Sequence, residues 1–356
     1  MDRDIASKIL YIGVDYRNPV GGIASVEYEY SKFIRPFKFV RTCVNGGKLK
    51  KAAVACEALV NFTARMLFDR SIKIVHVHAA SDASFWRKRI FIGIARRFGK
   101  KIVYHHHGGR FRQFYAEHPA PVSKTLAKAD CVVALSEEWC QFFADTLKCR
   151  QVRIINNVVS HPSHVASGNA APKPDGCFRL TFLGKITKEK GIYDLLDILA
   201  ENREDYAGRL KLTVGGNGEV SRFCKMVEEM NLGDIVEYAG WVDGEKKERL
   251  LSQTDAYILP SYIEGLPISI LEAMSYRKPV ISTRVGGIPA IVSEGKTGFL
   301  TAPGDKTAIR KAIDKLAADP ALCASMGEKA YSEVQPFFPE EVDRNLTSLY
   351  RSLLRQ

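Results

Sequence analysis

The stretch that decides the fold begins Tyr257-Ile-Leu-Pro-Ser-Tyr-Ile-Glu264-Gly-Leu-Pro-Ile-Ser-Ile-Leu-Glu272-Ala-Met274 and runs on to Leu300. Within it, Glu264 and Glu272 bracket a loop that turns into a helix, and a strand is predicted over Val280–Thr283. A proline suits the first helical position, where no backbone N–H is needed. The sequence therefore predicts a helix that starts at Pro267, with one carboxylate before its start and the other more than a turn inside it.

The predicted helix start supplies hydrogen-bond donors as well as acceptors. The first N–H groups of a helix have no partner inside it and attract anions and hydroxyl oxygens. Together with the two carboxylates they suit a polyhydroxylated ligand that carries phosphate. Two glutamates eight residues apart are common, and the helix dipole alone favours acidic residues near a helix start, so the spacing by itself is weak evidence. The free amides are predicted for Gly265, Leu266, Ile268 and Ser269.

The surrounding string makes the signal specific, because it closely resembles the donor-site signature of retaining glycosyltransferases of family 4. This resemblance implies an α/β protein of the GT-B fold, with two Rossmann-like parallel-sheet domains that face each other across a cleft. It implies that a nucleotide-diphosphate sugar binds there, with UDP the commoner nucleotide in the family, and that no metal or other cofactor is required. The matching segments are Leu259-Pro-Ser261, Glu264-Gly-Leu-Pro267, Leu271-Glu-Ala-Met274, Lys278-Pro-Val-Ile-Ser-Thr283 and Gly286-Gly-Ile-Pro289.

Composition agrees with a globular protein of two domains. The chain has 356 residues, of which 46% are hydrophobic and 26% charged, and no apolar run is long enough to cross a membrane. The charged N-terminus is not expected to be a signal peptide. The eight cysteines form no C-x-x-C pair, so they are expected to be reduced thiols in a cytosolic protein, and no zinc site is expected from them.

The net charge of +12 is unevenly distributed. Residues 1–170 hold 27 Lys and Arg against 13 Asp and Glu, a net +14, whereas residues 171–356 hold 25 against 27, a net −2. Such asymmetry indicates that the first half faces an acidic partner. The predicted organisation is an N-terminal acceptor-side domain over residues 1–165, a linker over 166–177, a nucleotide-sugar domain over 178–340, and a terminal helix over 341–356 that packs back toward the first domain.

Several glycine turns follow predicted strands. Gly21 and Gly22 follow a strand over Ile9–Val14, and a strand followed by a glycine turn and a helix is a phosphate-binding arrangement, although the dinucleotide fingerprint is absent. Alone, such a pair is usually just a tight turn. The resemblance places Gly21 and Gly22 near the donor diphosphate, and Gly216 and Gly218 near the nucleotide. It also places the backbone of Trp241 and Val242 at the base.

Two lysines stand in the loop after the strand predicted at Phe178–Leu183. Lys185 and Lys190 flank the start of the next helix, where two ammonium groups can hold a diphosphate and stabilise its charge as it leaves. Exposed lysines in loops usually serve only solubility. The choice between that interpretation and diphosphate binding therefore depends on where the two lysines stand in the surrounding string. The string resembles the family's Gly-Arg-x-x-x-x-Lys-Gly, with Lys185 in place of arginine, which keeps the charge but loses the planar two-point grip.

Five of the eight histidines fall in two predicted strands. His76 and His78 share one strand face, and with no third ligand expected nearby we interpret them as structural. Three successive histidines close the next strand, and they cannot all face one way. The resemblance assigns His107 to the transferred sugar and its phosphate, and leaves His105 and His106 structural.

Ser84–Lys101 is predicted to be a basic, aromatic helix with no acidic residue. This composition fits attachment to an anionic membrane surface, and an ordinary sheet-packing helix with solvated arginines explains its apolar face equally well. Nucleic-acid binding would give the same charge pattern, but no nucleic-acid motif accompanies it, so no nucleic acid is expected. The seven basic residues are Arg87, Lys88, Arg89, Arg96, Arg97, Lys100 and Lys101.

These features together predict a cytosolic, peripherally membrane-associated retaining glycosyltransferase. The hypothesis assigns Lys185 and Lys190 to the diphosphate, Glu272 to the ribose, and Glu264 to the sugar. The expected role is polysaccharide or lipopolysaccharide biosynthesis on a lipid-linked glycan acceptor. Two alternatives remain. One is a nucleotide-sugar epimerase of the same fold, which would need acid–base carboxylates in the first domain, where candidates are few. The other is a non-catalytic membrane-binding module, which would not need the two lysines and two glutamates.

Overall fold

The computed structural model describes residues 1–17, 21–44, 46–163 and 176–355. The chain divides into two compact units. Unit 1 comprises residues 1–160 and 336–356, and unit 2 comprises residues 161–335. The final helix thus belongs to unit 1. Most of the linker predicted over 166–177 lies outside the described residues.

Unit 1 is a six-stranded sheet with helices on both faces. Its strands are β1 (Ile9–Gly13), β2 (Lys38–Arg41), β3 (Ile74–Ala79), β4 (Lys101–His106), β5 (Cys131–Ala134) and β6 (Val152–Ile154). Its helices in the first part of the chain are α1 (Arg3–Ser7), α2 (Gly22–Phe33), α3 (Lys48–Phe68), α4 (Asp82–Arg97), α5 (Phe111–Glu117), α6 (Pro119–Leu126) and α7 (Glu137–Gln141).

Unit 2 repeats the same alternation of strand and helix. Its strands are β7 (Phe178–Leu183), β8 (Leu210–Gly215), β9 (Val236–Gly240), β10 (Ala256–Leu259), β11 (Val280–Thr283) and β12 (Gly298–Thr301). Its helices are α8 (Ile192–Glu201), α9 (Arg203–Tyr206), α10 (Val220–Glu229), α11 (Gly244–Gln253), α12 (Ile268–Ser275), α13 (Lys306–Ala318) and α14 (Pro320–Val334). The chain then returns to unit 1 as α15 (Pro339–Leu354).

Both sheets are parallel throughout, and their strand orders locate the expected ligand edges. Unit 1 has the order β2-β1-β3-β4-β5-β6, and unit 2 has the order β12-β11-β10-β7-β8-β9. The strand order reverses direction between β1 and β3 in unit 1 and between β7 and β10 in unit 2. Open α/β sheets bind ligands at the carboxyl ends of the strands beside such a switch point. The predicted α/β class with two parallel-sheet domains is confirmed.

The sheet of unit 1 separates two different kinds of interior. On one face, Val75 and Val77 of β3 join the apolar core formed with α3 and α4. Because side chains alternate along a strand, the intervening His76 points to the opposite face, where Tyr350 of α15 donates or accepts a hydrogen bond at 2.7 Å. Helices α4 and α15 therefore lie on opposite faces of this sheet.

Some strand predictions were wrong at the margins of the sheets. No strand was predicted for β2 or β12, each of which lies at one edge of its sheet, because an edge strand buries less surface and carries less of the continuous apolar pattern that marks a central parallel strand. The apolar run over Val152–Val159 predicts the last strand of the first half, but the strand ends at Ile154. Among the helices that the structure describes, none combines the length and hydropathy that crossing a membrane requires.

Candidate functional site

The predicted site residues of unit 2 lie on loops that leave four neighbouring strands, or in helix α12, which follows one of these loops. The order β10-β7-β8-β9 brings together the loop before α12, the loop with Lys185 and Lys190, the glycine turn with Gly216 and Gly218, and the segment with Trp241 and Val242. In a parallel sheet all four loops leave from the same edge. These residues are spread over nearly ninety positions of the sequence, and the structure brings them together at one edge of the sheet.

Lys190 and Glu264 form the central ion pair of this edge. Lys190 Nζ lies 2.5 Å from Glu264 Oε1, and the Ser261 hydroxyl donates to the same oxygen at 2.8 Å. The Glu264 side chain is 8% exposed and the Lys190 side chain 25%. Because β7 and β10 are adjacent at the switch point, this pair joins the two loops at the place where the fold class binds ligands.

The start of α12 differs from the prediction by one residue. Pro267 is the N-cap, in an extended conformation, and the helix begins at Ile268. An N-cap residue has non-helical torsion angles, and the torsion ψ of Pro267 is 118°, outside the helical range. Glu264 still precedes the helix, and Glu272 still lies more than a turn inside it. The Gly265 carbonyl accepts from the Gly287 N–H at 2.6 Å, which ties the loop to the glycine pair after β11.

Glu272 has a partner that the sequence analysis did not identify. Lys247 Nζ of α11 lies 2.5 Å from Glu272 Oε1, and both side chains are partly buried. The two residues are 25 positions apart on different helices. A long-range pair of this kind leaves no periodic signal in a single sequence.

The glycine turn after β8 is fixed against the lysine loop by backbone hydrogen bonds. The Gly184 N–H donates to the Gly215 carbonyl at 3.0 Å, and the Glu219 N–H donates to the Ile186 carbonyl at 2.8 Å. A Cβ atom on Gly216 would lie 1.8 Å from the Gly184 carbonyl oxygen, and Gly216 has a φ of +150°. Glycine is therefore required where the two loops run side by side.

Lys185 is an exposed cation of this edge. Within the described part of the chain it has no hydrogen-bond or ion-pair partner, although its charge helps to lower the pKa of Glu219. That pKa falls mainly because the Tyr193 hydroxyl donates to Glu219 Oε2 at 2.7 Å, and Arg222 adds a contact at 3.1 Å. The loop therefore offers exposed ammonium groups at Lys185 and Lys188 and one paired ammonium group at Lys190.

Trp241 and Val242 differ in their environments. Trp241 is exposed and donates from its indole nitrogen to Asp243 at 2.9 Å. Val242 is buried, and its side chain fills the space above Gly215, where a Cβ would meet it at 2.7 Å. The Val242 side chain thus packs the sheet edge, which leaves its backbone as the part available to a ligand.

The other predicted site residues, Gly21, Gly22 and His107, belong to unit 1. Gly21 is the N-cap of α2, and Gly22 is its first residue. His107 follows β4, and its Nε2 lies 2.9 Å from His78 Nδ1. Burial lowers the pKa of His107 to about 3, so its ring is neutral near pH 7.

His107 lies in a cluster of four histidine rings on one sheet face. His76 Nε2 lies 3.0 Å from His105 Nδ1, and the rings of His105 and His107 stack at 4.3 Å. The expectation that no third ligand lies near His76 and His78 was wrong, because the parallel register of β3 and β4 places His105 beside them. His106 points to the opposite face, where it packs on aromatic rings.

A second pair of buried ionisable groups lies at the switch point of unit 1. Glu27 of α2 accepts from the Val14 N–H at 3.0 Å, and burial raises the pKa of this carboxyl group to about 8. Lys88 of α4 donates to the Gly13 carbonyl at 3.2 Å and to the Thr42 hydroxyl at 2.6 Å, and burial lowers its pKa to about 7. Glu27 was not predicted as a site residue, because an acidic residue in a helix is normally exposed and carries no signal of burial.

The basic helix α4 is only partly a charged surface. Lys88 was predicted to face a membrane, and this is wrong, because the helix turns it inward to the end of β1. Lys100 is half-buried and donates to the Ile72 carbonyl, and Lys101 lies 3.7 Å from Asp130. Arg89, Arg96 and Arg97 are exposed, and Arg87 is half-buried. A groove of about 410 Å³ on this helix is lined by Trp86, Arg89, Ile90, Gly93, Ile94, Arg97 and Lys128.

Ser261 was within reach of sequence analysis. It lies three residues before Glu264 in the quoted stretch, a spacing at which a hydroxyl can reach a carboxylate across a turn. Lys247, Glu219 and Glu27 carried no such local signal, since each meets its partner through the tertiary fold or a loop whose path the sequence does not define.

The family match and the motifs quoted for the resemblance both concentrate in the second half of the chain. The family model described as "Glycosyl transferases group 1" matches residues 167–333. An N-acetyl-alpha-D-glucosaminyl L-malate synthase of Bacillus anthracis is 30% identical over 177 residues, which are 49% of this chain and 46% of that protein. The lipopolysaccharide core biosynthesis glycosyltransferase LpsE of Rhizobium meliloti is 25% identical over 226 residues, which are 63% and 64% of the two chains. The chain therefore spans about half the length of the first relative and under two thirds of the second.

Solved structures extend the likeness to the fold of both units. The Anabaena protein HepE, crystallised with UDP-glucose, superposes with a TM-score of 0.76 over 97% of this chain and 99% of its own, at 16% identity. At that identity the likeness concerns the fold alone. It confirms the predicted GT-B class with its two Rossmann-like parallel-sheet units.

Proposed function

Because residues 167–333 belong to the glycosyl transferases group 1 family, we propose that this protein transfers a sugar from a nucleotide-diphosphate sugar to a glycan acceptor. The observation that carries the proposal is the Lys190–Glu264 pair beside the exposed Lys185, at the switch point of unit 2. Cations for a diphosphate and a carboxylate for sugar hydroxyls stand together there. UDP is the proposed nucleotide, in line with the nucleotide named in the HepE structure.

We propose a separate role for each of the charged groups. The two ammonium groups hold the diphosphate and stabilise the negative charge that grows as it leaves. When the diphosphate engages Lys190, the Glu264 carboxylate becomes available to accept from sugar hydroxyls, and the amides at the start of α12 donate to the same ligand. Glu272 accepts from the ribose hydroxyls, with Lys247 fixing its orientation.

The proposed reaction retains the configuration at the transferred carbon. The acceptor hydroxyl attacks from the face that the leaving phosphate occupied, and that phosphate takes the acceptor's proton. The chemistry needs no metal or other cofactor, because the lysines supply the charge stabilisation. The roles of His107 at the sugar and of Gly21 and Gly22 at the diphosphate rest on the family resemblance and form part of the same proposal.

The proposed acceptor is a lipid-linked glycan of polysaccharide or lipopolysaccharide biosynthesis. The name of the Rhizobium relative supports this class. The surface of α4 supports contact with a membrane, since Trp86 is 37% exposed and Ile90 is 54% exposed beside Arg89 and Arg97. Aromatic and aliphatic groups rimmed by cations suit the interface of an anionic bilayer.

The donor site is tested by thermal unfolding with UDP-, GDP- and ADP-sugars in the presence of a chelator. A ligand at about 100 times its dissociation constant adds roughly 2.7 kcal/mol to the stability of the folded state. We expect one nucleotide to raise the midpoint without metal, and Lys185→Ala to weaken that shift. Lys188→Ala is the matched control, because Lys188 is exposed in the same loop and lacks a partner among the described residues. Equal effects of the two variants, or no shift with any donor, would contradict the proposal.

Product analysis separates transfer from epimerisation. A transferase leaves the donor sugar's configuration unchanged and releases the nucleotide when an acceptor is supplied, whereas an epimerase converts the donor alone.

Membrane contact is tested by sedimentation with phosphatidylglycerol vesicles. We expect Arg89→Glu/Arg97→Glu to lose binding and Arg344→Glu/Arg351→Glu, the same charge change on the opposite sheet face, to keep it.

A further inference from the structure

The buried histidine cluster of unit 1 has the composition and spacing of a metal site. We propose that His76, His78 and His105 bind one zinc ion. The three side chains are fully buried, and one nitrogen from each lies within 4.8 Å of the other two. The family match covers only unit 2, and the proposed transfer chemistry does not use these residues, so the site is a separate property of the protein.

The distances are close to those of a coordinated ion. An equilateral triangle with sides of 4.8 Å has its centre about 2.8 Å from each corner, and this is the widest case that the cluster allows. Zinc–nitrogen bonds are about 2.0–2.1 Å long. Each ring therefore needs to move inward by at most about 0.8 Å. His76 Nε2 and His105 Nδ1 lie 3.0 Å apart in a hydrogen bond, and coordination of His76 through Nε2 replaces that bond.

The hydrogen bonds of the cluster leave two ring nitrogens unused. His78 Nε2 and His105 Nε2 are buried and have no partner in the described residues. A buried nitrogen without a partner is unfavourable, because it has lost its contact with water. Coordination removes the problem by letting these rings change tautomer and direct lone pairs to an ion. Imidazole nitrogens are ligands that zinc prefers.

Three histidines leave the fourth position of a zinc ion for water. The Tyr30 ring meets His78 edge-on at 5.5 Å, and its buried hydroxyl also lacks a partner within the part of unit 1 that the structure describes. The Tyr30 hydroxyl is therefore available for a hydrogen bond to a water molecule in the fourth position.

The environment of the cluster explains why an ion here would be retained. The His76 ring is held from its other nitrogen by the Tyr350 hydroxyl at 2.7 Å, and that hydroxyl contacts Tyr11 at 2.9 Å. Such outer contacts fix the ring orientation and the tautomer of a metal ligand. Because the site is closed, the ion must enter while unit 1 folds, and slow exchange is expected afterwards.

The test uses the untagged 356-residue chain, since a histidine tag would bind zinc itself. The exposed thiols of Cys56 and Cys224 are alkylated, and the protein is unfolded, refolded with zinc chloride, desalted, and analysed for metal. We expect about one zinc per chain that resists dialysis against a mild chelator. Refolding with cobalt should give the visible absorption of a low-coordinate nitrogen site. Protein refolded and desalted without bound zinc would overturn the proposal.

Two substitutions on one strand provide matched variants. His105→Gln should lose the zinc, whereas His106→Gln should retain it, because His106 is equally buried but faces the other side of the sheet. Retention of zinc by both variants would also overturn the proposal. Should His105→Gln fail to refold, the metal content and cobalt spectrum of the unsubstituted protein decide the question alone.

Discussion

Replacing Lys190 by methionine removes the charge that faces Glu264 and keeps the length of the side chain. A hydrogen bond to a charged group contributes about 1.5–3 kcal/mol. The Lys190 side chain is 25% exposed, and Glu264 keeps the Ser261 hydroxyl, so we take the lower part of this range. The expected loss is about 1.5–2 kcal/mol. For a unit of this size each kcal/mol moves the melting temperature by about 2–4 °C. The predicted decrease is about 3–8 °C.

The assay is thermal or urea unfolding without nucleotide, with Lys188→Met as the control. Lys188 lies with Lys190 on the short 3-10 turn Lys188–Lys190, is exposed, and has no side-chain partner in the described chain, so its replacement should change stability by less than about 0.5 kcal/mol. Glu264→Gln removes the carboxylate that Lys190→Met leaves unpaired. The double variant should therefore be more stable than the sum of the two single losses predicts.

A specific result would refute this reasoning. If Lys190→Met melts within about 1 °C of Lys188→Met, the close approach of Lys190 to Glu264 contributes nothing to stability, and the carboxylate is adequately solvated without it. The proposed role of Lys190 in diphosphate binding would then depend entirely on the thermal unfolding experiments with nucleotide sugars.

Further expectations concern other contacts. Gly216→Ala should cost about 2 kcal/mol or more, since its Cβ would lie 1.8 Å from a carbonyl oxygen, whereas Gly233→Ala has open space and should be near neutral; urea unfolding compares them. The pKa of Glu27 is raised from 4.5 to about 8 in the folded state, so its contribution is complete below pH 4.5 and is lost as pH rises toward 8. Glu27→Gln should flatten the fall in unfolding free energy between pH 5 and 8, and parallel curves would contradict the assignment. Tyr350→Phe should lower stability by about 1–3 kcal/mol through two lost buried hydrogen bonds, whereas Tyr28→Phe, at an exposed site, should not.

The sequence was most informative where a local pattern has a direct physical cause. Central parallel strands are buried on both faces, so β1, β3, β7 and β10 appear in the sequence as apolar runs that predict strands. The loop from Ser261 to the start of α12 was identified because its glycine, proline and carboxylates lie close together in the chain. The α/β class and most of the residues proposed for donor binding followed from these patterns.

The tertiary structure decided which of these residues meet. Sequence could not order the strands, and it is the adjacency of β7 and β10 that brings Lys190 to Glu264 from 74 positions away. It could not show that helix α4 turns Lys88 into the core, because a lysine in a basic helix is normally exposed. Nor could it show that the register of β3 and β4 sets His105 against His76 and His78, since that contact depends on pairing between strands and not on spacing along either one.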